Sequence, residues 1–159
     1  MFFEWNTKLA FDNIGGFHEV IWNGGIDEAG NPSHLAGGGE ADIIVRSANF
    51  TLVVEVTLRT GVDQWNYEHR SVIDHVEEVC KKEKSTDRDV FGLFLAEKLH
   101  PRTITTFWGN VKDHGSVCIV PLDKATFVDI LHFHKEIKGL APSDFRSLVK
   151  LFERGISDT

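Results

Sequence analysis

The chain is poor in cysteine and has no long apolar run. Two cysteines, Cys80 and Cys118, stand in 159 residues, and no CxxC spacing occurs. That excludes a disulfide-stapled secreted module, and both thiols read as reduced core residues of a cytoplasmic protein. No apolar stretch approaches the ~20 residues needed to cross a bilayer, so no membrane partner is expected. The opening segment MFFEWNTKLAF lacks a basic region followed by an apolar core, which excludes a secretory signal. There is no internal repeat and no low-complexity tract. GGGE at 37–40 is followed by neither the lysine nor the helix start of a phosphate loop. Positive charge is also scarce. The formal net charge of −7 argues against a free-standing nucleic-acid binder, because phosphate contacts need Lys and Arg. Clustered carboxylates, however, are what a metal-ion site requires.

What is present reads as one globular domain over 1–159, with 42% hydrophobic and 26% charged residues. Trp5, Leu9 and Ile14 recur at helical spacing, and Gly15 is the expected stop. FHEVIW reads as a strand. Residues 23–40 hold six glycines and a proline and read as a long loop with room for a short strand or turn. Residues 41–46 and 51–58 are β-rich runs around a short turn. A long helix over 63–84 carries Val72, Val76 and Val79 on one stripe. A buried strand is expected at 89–96 and a short helix at 102–110. A strand at 116–122 is expected to end at Pro121. The last two helices are expected to run from an Asp123 cap to Gly139, and from a Ser143 cap to Gly155. This order predicts an α/β fold, a mixed central sheet flanked by helices.

Two acids interrupt the apolar runs. With a turn centred on Ala48 and Asn49, Arg46 faces Thr51, Ile44 faces Val53, and Asp42 faces Glu55. Opposed residues have Cβ atoms about 4.5–5.5 Å apart, and like charges so placed repel. Burial adds several kcal/mol for each unpaired ion. A divalent cation such as Mg²⁺, held by one or two carboxylates, relieves both. The alternative is that both acids sit at fraying strand ends in water. Further acids support the first reading. Glu68 and His75 lie seven residues apart on the long helix and share a face, with Asp74 and Glu77 on the solvated side. Glu4 sits between Phe3 and Trp5 on the first helix. His132 and His134 form an HxH pair whose members point to different helix faces, so no zinc site is expected there. Phe91, Phe94, Phe107 and Trp108 read as core or as an interface for a partner.

FFEWNT, GEADIIV, VVEVTLRTG and QWNYEHRSVIDHVEE occur in this order between residues 2 and 78. Together they resemble the cleavage domains of type IIS restriction and nicking endonucleases of the AlwI, BstNBI, PleI and MlyI group, members of the PD-(D/E)XK nuclease superfamily. The length is similar to that of the separate small cleavage subunit of heterodimeric relatives. The resemblance covers about residues 2–122. It implies a restriction-endonuclease-like fold and a Mg²⁺-dependent cut, with Mn²⁺ as substitute, in one strand of double-stranded DNA. The cut would lie near a site read by a separate recognition domain or large subunit. It implies catalytic roles for Glu4, Asp42, Glu55, Glu68 and His75, with Asp42, Glu55, Glu68 and Glu4 around the metal. Thr57 stands where the wider superfamily usually has lysine. His75, Arg59 and Gln64 are the candidates to align the nucleophile in its place. Weak DNA binding alone, transient pairing with a second cleavage domain, and either a natural small subunit or an excised domain are further expectations. A non-catalytic assembly subunit on a nuclease scaffold is the alternative reading.

Overall fold

The computed structural model describes the chain except residues 38, 115–117, 138–140 and 158–159; the side chains of 111–114, 136–137 and 156–157 are likewise outside the description. In chain order the elements are α1 (Phe2–Ile14), β1 (Glu19–Trp22), β2 (Gly25–Ile26), β3 (Pro32–His34), β4 (Ile43–Arg46), β5 (Phe50–Thr57), α2 (Gly61–Glu83), β6 (Asp89–Ala96), α3 (Pro101–His114), β7 (Ile119–Asp123), α4 (Lys124–Ile137) and α5 (Pro142–Ser157). Five strands form one mixed sheet in the order β1-β4-β5-β6-β7. The first three pair antiparallel, whereas β5-β6 and β6-β7 are parallel. The loop over 23–40 folds back as the small β2-β3 hairpin.

Alternation along the strands divides the core. Ile43, Val45, Leu52 and Val54 face one side with Phe11 of α1, Phe127 of α4 and Phe145 of α5. Ile44, Val53 and Phe94 face the other with Val72 and Val76 of α2 and Phe107 of α3. The period of two therefore sends Glu55, in step with Val53, toward α2. Of the aromatic group, Phe91, Phe94 and Phe107 are core, while Trp108 is 36% exposed and packs edge-on against Phe152.

Several local expectations need correction. The buried stripe of α1 is Glu4, Thr7, Phe11 and Ile14; Leu9 faces out, because the helix offers its phenylalanine rather than its leucine to the sheet. Gly15 does end α1, at φ 73°. Pro121 does not end its strand. It lies within β7, an edge strand, where a missing N–H leaves no inner ladder broken. Asp123 caps α4 by accepting the Thr126 N–H at 2.8 Å. Ser143 does not cap α5, since Asp144 takes the Ala141 N–H, and Gly155 lies inside that helix. The expected start of the β7 strand and the expected stop at Gly139 lie outside the described residues.

Gly92 marks where α2 crosses the sheet. A Cβ there would meet Ile119 Cγ1 at 2.7 Å and Val76 Cγ2 at 3.0 Å. Gly92→Val should overpack this contact and cost about 1–3 kcal/mol. Thermal unfolding followed by circular dichroism should show a Tm lower by roughly 5 °C; an unchanged Tm would show that the crossing has slack.

Candidate active site

The β4-β5 hairpin pairs Arg46 with Thr51, Ile44 with Val53 and Ile43 with Val54. The ladder ends at Ile43 and Val54; Asp42, the residue just before β4, lies near enough to Glu55 to feel its charge. Neither acid is at a solvated strand end. Glu55 is only 8% exposed, and Asp42, half-buried, accepts the Val56 N–H through Oδ2 at 2.8 Å. Burial and the facing Glu55 carboxylate push Asp42 up to about 8. Burial also raises Glu55, against the hydrogen bond that His75 donates from Nδ1 to Glu55 Oε1 at 2.8 Å. The same bond raises His75, with burial opposing it. The hairpin thus holds two carboxylates whose ionised forms repel and are poorly hydrated, and α2 brings one imidazole that hydrogen-bonds Glu55.

Glu4 and Glu68 approach this pair from opposite directions. Glu4 comes from the first turn of α1 and is 7% exposed; its Oε2 accepts the Trp22 indole N–H at 3.3 Å. Its negative charge is felt by both Asp42 and Glu55. Glu68 on α2 is felt by Glu55 but is engaged elsewhere. It accepts from the Thr57 hydroxyl at 3.3 Å and pairs with Arg59 Nε at 2.9 Å. The five sequence-derived residues therefore share one end of the sheet. As they stand, no group of three or more His, Cys, Asp or Glu among the described residues is close enough to form a ready ligand set.

The three candidates to replace the missing lysine separate clearly. Gln64 is fully buried, and its amide binds only backbone: it donates to the carbonyls of Arg59 at 2.9 Å and Lys98 at 2.8 Å, and accepts the His100 N–H at 2.8 Å. It ties two loops together and has no free group for a substrate. His75 touches Glu55, and Arg59 touches Glu68. Thr57 does not mimic lysine; its hydroxyl accepts the Arg59 N–H at 3.0 Å and donates to Glu68. Sequence reasoning missed Trp22, which anchors Glu4. Its only signal was an aromatic ending an apolar run, which the core explains equally well.

The sheet order, the helices on both faces and the acidic pair at its end define a restriction-endonuclease fold. The small subunit (R.BspD6I2) of the heterodimeric restriction endonuclease R.BspD6I has a similar structure, with a TM-score of 0.86 and 26% identity over 96% of this chain and 79% of that one. The AlwI restriction endonuclease family matches residues 1–130, and the chain belongs to this family. No curated protein matches it. Likeness over 96% of the chain carries the shared fold past residue 122, where the motif resemblance stops, into the last two helices.

The carboxylate pair has a measurable cost without any cation. Folded Asp42 keeps its proton up to about pH 8, while the unfolded chain releases it near the ordinary 3.8. Between those values the folded state binds more protons, so raising the pH removes stability. The upward shifts of Glu55 and His75 act in the same direction. Asn at position 42 keeps an acceptor for Val56 and cannot ionise. In EDTA near pH 8.5, Asp42→Asn should raise the Tm by on the order of 5 °C, with little change near pH 5. A Tm gain equal at both pH values would show that the charge is not the cause.

Proposed function

We propose that residues 1–159 act as the cleavage unit of a type IIS restriction system in the cytoplasm, a Mg²⁺-dependent endonuclease of the PD-(D/E)XK superfamily. It would hydrolyse one strand of double-stranded DNA near a site read by a separate recognition domain or large subunit. The family match and the heterodimeric nature of the R.BspD6I relative support this reading. The single observation that carries it is the neighbouring pair of half-buried Asp42 and buried Glu55, an arrangement that fits a divalent cation and is costly without one.

Asp42 and Glu55 would hold Mg²⁺, with Glu4 and Glu68 closing the site, and Mn²⁺ would substitute. When bound, the ion polarises the phosphate and lowers the pKa of a bound water. The rest falls to the chain itself. Val56 N–H fixes the Asp42 carboxylate and Trp22 fixes Glu4. His75 holds a proton at Nδ1 against Glu55 and is placed to relay one as phosphodiester hydrolysis proceeds. Arg59, paired with Glu68, brings a positive charge near Thr57, which stands where the superfamily usually has lysine. Sequence reading belongs to the partner, and transient pairing of two cleavage units would allow the second strand to be cut.

Cleavage of a plasmid carrying the recognition site, reconstituted with the recognition subunit and Mg²⁺, tests this. Asp42→Asn and Glu55→Gln should each reduce the cleavage rate by at least about 100-fold, since a metal contributes several kcal/mol of charge stabilisation. Wild-type rates in both variants would refute the assignment and favour a non-catalytic assembly subunit. Because Asp42→Asn is expected to fold at least as well as the parent, a lost activity would not be a lost fold.

A further inference from the structure

A chain with a net charge of −7 must present a local cationic surface to approach a polyanion. Many of its cations are matched within the fold: Arg46 with Glu19 and Glu83, Lys124 with Glu97, and Arg146 with Asp89. Lys150, beside a cavity of about 650 Å³, bonds Glu153, and that cavity also holds Glu77 and Asp89, so its lysines are balanced by acids. The loops that follow β5 and β6 differ. Lys98 and Arg102 are exposed and, among the described residues, have no carboxylate partner.

These loops are also built as one body. The Glu97 N–H donates to the Thr57 carbonyl at 3.3 Å where the two parallel strands end. Gln64, fully buried beneath them, binds Arg59 and Lys98 carbonyls and the His100 N–H at once. Arg102 lies over the Trp65 ring at 5.2 Å; that indole donates to Thr106 at 3.1 Å, and its ring stacks on His69 at 12°. A guanidinium held on an aromatic face loses little freedom when its N–H groups meet a phosphate. The β5-α2 loop, joined to the β6-α3 loop through Gln64, carries Arg59, which bonds Glu68 of the candidate site, so this surface borders the site directly.

We propose that Lys98 of the Gln64-tied β6-α3 loop and Arg102 of the first turn of α3 bind the phosphate backbone of duplex DNA beside the cleavage site. This rests on the nuclease reading above and names the surface that reading needs. The test is fluorescence anisotropy of a short labelled duplex with the full chain in EDTA, over a series of NaCl concentrations. Each of Arg102→Gln and Lys98→Gln should weaken low-salt binding by roughly 3–10-fold and reduce the slope of log K against log salt by about 1. Arg154→Gln, on the exposed side of α5, should leave both unchanged. Both side chains are exposed, and far-UV circular dichroism of each variant checks its fold. A slope equal to the parent's in both the Lys98 and Arg102 variants overturns the proposal, as does a parent chain with no salt-dependent affinity. EDTA separates this outcome from the nuclease reading: unchanged slopes alongside Asp42→Asn-sensitive cleavage sink only the surface, and the reverse pattern sinks only the metal site.

Discussion

Backbone register places two carboxylates face to face in a partly dry setting, and the rest of the site is arranged around their repulsion. The hairpin turn sets Arg46 against Thr51, and the period of two then brings Asp42 to Glu55 on the side of α2. No side-chain rotation separates them at low cost, because Val56 N–H holds one and His75 Nδ1 holds the other. Burial and the Glu55 charge push Asp42 up to about 8, so that in the isolated chain it is a proton that offsets the repulsion. A fold that tolerates this arrangement has a reason for it outside the core, and its membership of a restriction endonuclease family supplies one.

The surrounding elements divide the work by the direction of their ends. α1 packs on one face of the sheet and delivers Glu4 at its first turn, where Trp22 anchors it. α2 packs on the opposite face and delivers Glu68 and His75 two turns apart. The parallel strands β5 and β6 end side by side, and their loops are joined through one buried glutamine. Candidate acids from both faces and the joined loops at the strand ends thus lie at one end of the sheet.

Much of this was legible in the sequence because it follows from short-range rules. The Ala48-Asn49 turn and strict alternation yield the Asp42–Glu55 opposition without any tertiary information. The seven-residue spacing of Glu68 and His75 places both on one helix face. What was not legible depends on long-range packing. Gln64 reads as a candidate to align the nucleophile until Lys98 and His100, more than thirty residues on, close over it. Trp22 reads as core until Glu4 arrives from α1. Leu9 and Phe11 are equally apolar, and only the sheet decides which turns inward. Pro121 and Gly155 are breakers by local preference, yet an edge strand accommodates the first and α5 runs on through the second.

The most direct measurement of the central claim is anomalous diffraction from crystals soaked in Mn²⁺. The account predicts one strong peak between the carboxylates of Asp42 and Glu55, within coordination distance of both, which disappears in Asp42→Asn. Crystals in which those side chains turn apart, with manganese absent between them, would contradict it.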